Sequence, residues 1–435
     1  MKTLITLGSL LSVLSVASYA ASPTNPDNQQ INQGEYIARA SDCVACHTAE
    51  GGKNFAGGLA IESPFGKIYS TNITPSKTHG IGNYSYAQFE QALRHGVRAD
   101  GSHLYPAMPY PDYAKLKDDD VKALYAYFMH GVDPVDEDAP KTDLSFPFNQ
   151  RWGIRFWNWV AADASPYQND AKQSEAYNRG AYLVQGPGHC GSCHTPRGLV
   201  FQEKGYDHKG GDFLSGGMIG IWHAPDLRAG KGGALEHWSK EDIAEYLATG
   251  RNVHSAVAGE MTSVVEHSLS YLNDSDLDAI ATYLKTLPGD GTTKAISTNE
   301  DNATTAKLVS GKYPVNSGER LYVDNCSACH FSNAKGAPRV FPALDGNSLV
   351  NAQDPSGLIH VILAGSTLPS TPKAPEALAM PGFGWRLSDE EVAKLATFLR
   401  SGWHNKAPSV SADDVATIRK TIPKSVLEAD KPNVE

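Results

Sequence analysis

All six cysteines of the 435-residue chain fall into three pentapeptides of one pattern. These are Cys43-Val44-Ala45-Cys46-His47, Cys190-Gly191-Ser192-Cys193-His194 and Cys326-Ser327-Ala328-Cys329-His330. Two thiols one helical turn apart can each add to a vinyl group on one edge of a haem macrocycle, and the adjoining imidazole then reaches iron from beneath the ring. A single such run is also compatible with half a zinc site or a redox-active dithiol. Three runs, each followed at once by His, read as three c-type haem attachment sites and leave no thiol for a disulfide. Cys43, Cys46, Cys190, Cys193, Cys326 and Cys329 are the candidate haem-bonding residues. His47, His194 and His330 are the candidate first axial ligands of iron.

A second axial ligand is sought among the methionines. Met108, Met261 and Met380 are each predicted in a loop between the last two helices of a repeated unit, and Met108 and Met380 are each followed by Pro. A thioether opposite His stabilises ferrous iron and raises the potential. Met129, in a helical apolar stripe, and Met218, in a Gly-rich loop, read as packing or surface residues. The competing ligands are His95 and His103 in the first unit and His254 and His267 in the second. The third unit has no His between His360 and Met380, so Met is favoured there, and position extends the choice to the other two. The sequence suggests no nucleophile–base pair and no acidic dyad, so the cofactor carries the chemistry.

These residues are positioned by a unit written three times. Gly34-Glu35-Tyr36, Gly180-Ala181-Tyr182 and Gly318-Glu319-Arg320 each open a short amphipathic helix leading to the Cys-x-x-Cys-His run. A second helix is predicted over 85–95, 239–249 and 356–364, with capping boxes at Ser85/Gln88 and Ser239/Asp242 and glycine stops at Gly96, Gly250 and Gly365. A last helix is predicted over 118–130, 274–287 and 388–400. In the third of these, Val392, Leu395, Ala396 and Leu399 fall at i, i+3, i+4 and i+7. The loop Thr71-Asn72-Ile73-Thr74, matched by Ala224-Pro225-Asp226-Leu227, reads either as an ordinary turn or as a contact to a haem propionate.

Met1-Lys2, the apolar run Leu4 to Val16 and the small residues around Ala20 predict a signal peptide over 1–20, and hence a periplasmic protein. The formal net charge of −10 and the lack of basic runs argue against nucleic acid as a partner. No later apolar stretch is long enough to span a bilayer, so membrane association is expected to be peripheral or through a partner. The units are placed at 29–131, 173–288 and 312–404. Residues 132–172 form an aromatic-rich linker, 289–311 a flexible polar linker and 405–435 a tail. Phe146 to Val160 holds three tryptophans and reads as an inter-domain clasp in preference to a docking surface. A weak tail helix over 411–422, apolar at Val415, Ile418 and Ile422, could pack on a neighbour or lie on a membrane.

Together with the haem motifs, Pro64-Phe65-Gly66-Lys67-Ile68-Tyr69-Ser70-Thr71-Asn72-Ile73-Thr74-Pro75, Tyr105-Pro106-Ala107-Met108-Pro109-Tyr110 and Met380-Pro381-Gly382-Phe383 carry a family likeness. The chain resembles the triheme cytochrome c subunits of bacterial membrane-associated dehydrogenases, of the alcohol, gluconate, sorbitol and fructose dehydrogenase type. The resemblance implies an all-α fold of three tandem class I cytochrome c-like domains, each wrapping one covalently bound haem c. It also implies a relay from a quinoprotein or flavoprotein catalytic subunit to ubiquinone or a terminal oxidase. Against it stand a multihaem peroxidase, which needs an iron with an open sixth site, a stand-alone soluble carrier, and a haem-based sensor.

Overall fold

The computed structural model describes residues 26–161, 165–291 and 303–432. The expected signal peptide lies outside them. In each unit the first helix crosses the last: Asn28–Ala40 on Asp118–His130, Glu175–Gln185 on Asp274–Leu284, and Gly318–Asn325 on Asp389–Ser401. The repeated glycine sits at each crossing. A Cβ on Gly34 would lie 2.0 Å from the Ala123 carbonyl oxygen, one on Gly180 1.9 Å from that of Ala279, and one on Gly318 2.5 Å from that of Lys394. Only hydrogen fits there, which explains why each unit opens on this residue.

Local signals set the helix ends. Ser85/Gln88, Ser239/Asp242 and Ser388/Glu391 form complete capping boxes, and Gly96 and Gly250 close their helices in the left-handed conformation. The apolar stripe of the last helix is buried at Val392, Leu395, Ala396 and Leu399. The fold is mainly helical, but it also has three short antiparallel ribbons: Ala60–Ser63 with Gly66–Tyr69, Gly217–Ile219 with Trp222–Ala224, and Ser366–Thr367 with Ala379–Met380.

Units one and two meet through a reciprocal pair of contacts. The Tyr36 hydroxyl donates to Asp276 at 2.6 Å, and Arg179 donates to both oxygens of Asp276 at 2.7 Å. At the equivalent place Tyr182 donates to Asp120 at 2.5 Å and Gln33 donates to the same carboxylate at 3.1 Å. Each tyrosine stands two residues after the crossing glycine, and each aspartate is third in its last helix. The two units therefore use the same patch on each other, the signature of a two-fold contact inside one chain. In unit three Arg320 replaces the tyrosine and turns to Asp324 in its own helix, while Glu391 is held in a cap. Unit three accordingly docks differently, through the Arg339–Glu245 pair, the Lys373–Asp274 pair and Trp222 against His360.

The connecting segments depart from expectation at one place and meet it at two. Ala303–Ser310, predicted as flexible linker, is a helix that buries Leu308 on unit three, where Thr304 accepts from the Trp403 amide at 3.1 Å. The tail helix Ala412–Thr421 packs on unit three with Val415, Ile418 and Ile422 buried, and Arg419 reaches Asp389, Gly384 and Leu387. Its apolar face is thereby used up inside the molecule. The aromatic stretch forms a helix, Trp152–Ala161, that clasps units one and two with one face only.

Candidate cofactor sites

Each pentapeptide folds into one turn of helix. The His47 amide donates to the Cys43 carbonyl at 3.0 Å, His194 to Cys190 at 2.9 Å, and His330 to Cys326 at 2.9 Å. That turn carries two thiols and an imidazole on a single short segment. Each imidazole then makes the same second contact. Nδ1 lies 2.7 Å from the Thr71 carbonyl oxygen in His47, 2.7 Å from that of Pro225 in His194, and 2.9 Å from that of Pro342 in His330. A carbonyl can only accept, so Nδ1 carries the proton and Nε2 keeps its lone pair for a metal. Burial pushes all three imidazoles towards the neutral form, His194 to about 4. Neutral imidazole with a free Nε2 is the ligating state.

These carbonyl partners are what sequence reading missed. Thr71 acts through its backbone. The neighbouring Asn72 side chain is spent within the protein: its amide donates to Val135 and Glu137, and its oxygen accepts from the amide and hydroxyl of Thr74. This loop is a clamp between the first unit and its linker, and Asn72 has no capacity left for a propionate.

The more enclosed thiols do not suit redox chemistry. Burial pushes Cys190 and Cys326 up to about 12 and Cys193 to about 11, and raises Cys43 as well. A redox dithiol needs the opposite shift. Among the described residues no three His, Cys, Asp or Glu side chains converge on a metal position.

One continuous cavity of about 1960 Å³ runs through units two and three. Its walls include Cys190, Cys193, His194 and Met261 at one end and Cys326, Cys329, His330 and Met380 at the other. A typical small-molecule site encloses about 300–1,000 Å³, so this space suits two large ligands side by side. Ala40 and Asp42, just before the first pentapeptide, close part of the wall. Burial pushes Asp42 up to about 8. The Cys43–Cys46 turn also touches the Glu260–His267 helix. The first pentapeptide thus lies just behind the wall of the cavity that the other two line.

The methionines sit in unlike local structures. Met108 is in a turn, partly buried against the shared core of units one and two. Met261 is in the first turn of the Glu260–His267 helix, not in a loop as expected. A left-handed Gly259 starts that helix late, which conceals it from pattern reading. Met380 lies on a two-residue strand, again not in a loop. Met261 and Met380 line the same cavity as His194 and His330. The competing His254 also borders the cavity, but its ring stacks on Trp238 and its Nε2 lies 3.2 Å from Asp242.

A carboxyl pair unnoticed in the sequence sits between units one and two. Asp112 and Glu203 are both buried, and the Ser192 hydroxyl inside the second pentapeptide reaches them at 3.1 and 3.3 Å. Burial pushes Asp112 up to about 6 and Glu203 well above the usual carboxylate range, while Arg197, 3.6 Å from Glu203, opposes the shift. An acid whose folded pKa is raised stabilises the fold fully below its unfolded value near about 4 and loses that contribution as pH rises through the folded value. The loss is expected between about pH 4 and 7. Thermal unfolding of Asp112→Asn across that window should show a shallower fall than the parent. An identical slope would remove the pair from the account.

Comparison with known proteins agrees with this geometry. The family model described as cytochrome c matches residues 31–131, 177–288 and 315–403. The gluconate 2-dehydrogenase cytochrome c subunit of Pantoea cypripedii is 46% identical over 396 residues, covering 90% of this chain and 89% of that protein. The cytochrome c subunit of the quinone-dependent alcohol dehydrogenase of Gluconobacter oxydans is 47% identical over 395 residues, covering 90% and 82%. The fructose dehydrogenase cytochrome subunit of Gluconobacter japonicus is 42% identical over 419 residues, covering 91% and 85%. A one-turn Cys-x-x-Cys-His helix and a neutral imidazole held by a backbone carbonyl recur along a chain with these relatives: it belongs to the cytochrome c family, alongside the cytochrome c subunits of alcohol, gluconate and fructose dehydrogenases.

Proposed function

We propose that this chain is the periplasmic electron-transfer subunit of a dehydrogenase complex, carrying three covalently bound haem c groups. Cys43 and Cys46, Cys190 and Cys193, and Cys326 and Cys329 hold the haem edges. His47, His194 and His330, together with Met108, Met261 and Met380, would hold the haem iron. Bound haem iron takes up and releases single electrons, and the protein sets where and at what potential. The Thr71, Pro225 and Pro342 carbonyls fix the imidazole planes. Apolar walls exclude water, so a change of charge at iron is felt with little screening. The catalytic subunit oxidises an alcohol, sugar or aldehyde, and the electrons leave to ubiquinone or a terminal oxidase.

The observation that carries the reading is the single cavity shared by two attachment turns and two methionines. A haem peroxidase would instead need a sixth position kept clear of side chains, whereas each unit offers a methionine. The test is rapid mixing with candidate substrates, following haem reduction with and without the co-purified catalytic subunit. Reduction should require that subunit. Substrate oxidation by this chain alone, or turnover of hydrogen peroxide at a high-spin haem, would overturn the relay.

A further inference from the structure

The backbone that follows Met380 is gripped from two directions. On the inner side the Phe383 amide donates to the Ile362 carbonyl and the Gly384 amide to the Leu363 carbonyl, each at 2.9 Å, so the segment lies along the end of the Ser356–Ala364 helix. On the outer side the C-terminal tail closes over it. The Gly382 amide donates to the Asp430 carboxylate at 2.7 Å. The Arg419 guanidinium donates to the Gly384 carbonyl at 2.7 Å and to the Leu387 carbonyl at 2.8 Å, and is itself fixed by Asp389 at 2.6 Å. Leu427 presses on Gly384 so closely that a Cβ there would stand 2.6 Å from its Cδ2.

These outer contacts come from beyond the repeated unit. Met380 itself sits on a ribbon whose strands are two residues long, and a lone ribbon of that kind is marginal without something packed on it. Unit one shows the same device built from a different segment. The Tyr105 hydroxyl, ahead of Met108, donates to the Phe148 carbonyl at 3.1 Å, and the Tyr105 ring lies beneath the Arg151 guanidinium. The Tyr110 hydroxyl, just after Met108, donates to Asn158 at 2.5 Å. In both units the chain that follows the unit folds back over the methionine segment. A segment held from one side only opens locally at far less cost than the whole domain unfolds, so the outer grip decides how often the methionine leaves its place.

We propose that the C-terminal tail is a strap that keeps Met380 in ligating position, with Arg419, Leu427 and Asp430 as positioning residues for the third haem. The inference rests on the reading of Met380 as an iron ligand. The experiment is a titration of the full haem-loaded chain with imidazole, followed in the visible spectrum. Imidazole competes for the position a methionine vacates, so its apparent affinity follows the fraction of molecules in which that position is open. In Met380→Ala one haem of the three should bind imidazole without competition, lose its methionine–iron band and fall in potential. The Leu427→Ala/Asp430→Ala variant should bind imidazole at least tenfold more tightly than the parent at that one haem. Asp430→Asn keeps an oxygen to accept from Gly382 and should stay close to the parent. Val415→Ala thins the buried face of the tail helix but leaves the hydrogen bonds to the methionine segment in place; it should lower the unfolding temperature without the gain in affinity. An unchanged spectrum in Met380→Ala overturns the ligand assignment and the strap with it. An open haem in Met380→Ala beside parental affinity in the double variant overturns the strap alone. An equal gain in Val415→Ala would reduce the tail to general stability and overturn it too.

Discussion

With Cys190 and Cys193 both changed to alanine, the covalent haem content of the purified chain should fall by one third, and the middle unit should cease to fold as a packed domain. The first outcome follows from the attachment chemistry proposed above. The second follows from volume. The cavity through units two and three measures about 1960 Å³. At about 24 cal/mol per Å³, an unfilled void of half that size would cost on the order of 20 kcal/mol. A whole domain is stable by only about 5–15 kcal/mol. The walls cannot hold their positions around such a void, so they must collapse or open. Unit one shares a core with unit two through Tyr182, Leu183 and Val184 and should loosen as well. Pyridine haemochrome assay, limited proteolysis and thermal unfolding would check this. His194→Ala separates the two effects: it should keep the thioether bonds and the haem content while losing one third of the low-spin signal. Full haem retention in the double-cysteine variant would refute the assignment of that site.

Much of this architecture is local, and local features are the legible ones. The capping boxes at Ser85, Ser239 and Ser388 lie within four residues of sequence, and the Cys-x-x-Cys-His runs within five. The order of helices follows from them. What could not be read has a physical reason in each case. The carbonyls of Thr71, Pro225 and Pro342 hold His47, His194 and His330, but any residue supplies a carbonyl, so no side-chain type marks them. The reciprocal Tyr36–Asp276 and Tyr182–Asp120 contacts span 240 and 62 residues of chain. Their repeat positions are visible, but their pairing is a fact of three dimensions. Ala303–Ser310 is polar enough to read as linker, and only docking on Trp403 and its neighbours makes it a helix. The outward turn of Trp152, Phe156 and Trp159 runs against the usual burial of such residues, which is why an internal clasp was the natural expectation.

Gly180→Ala should be among the most damaging single-methyl changes in the chain. The added Cβ would stand 1.9 Å from the Ala279 carbonyl oxygen, 2.5 Å from its carbon and 2.9 Å from Cβ of Tyr283. Two of these are backbone atoms of the partner helix, so no side-chain rotation relieves them. The helices must move apart, and that separation exposes Tyr182, Leu183 and Tyr283, all nearly fully buried. Overpacking of a well-filled core costs about 1–3 kcal/mol, occasionally more, and a clash with immovable backbone belongs at the top of that range. The ordinary helix-propensity gain of Ala over Gly, about 1 kcal/mol, offsets only part of it. The control is Gly153→Ala, also inside a helix, where nothing lies within 4 Å of the added methyl. There the propensity gain stands alone, and stability should rise slightly. Opposite shifts in unfolding temperature for the two variants are expected, the loss at Gly180 being the larger. Gly318→Ala, where the nearest carbonyl oxygen is 2.5 Å away, should fall on the same side as Gly180→Ala but cost less. Equal stability of Gly180→Ala and the parent would mean that the helices do not cross at this glycine. The repeated residue would then lose its explanation as the point that brings each first helix against its last.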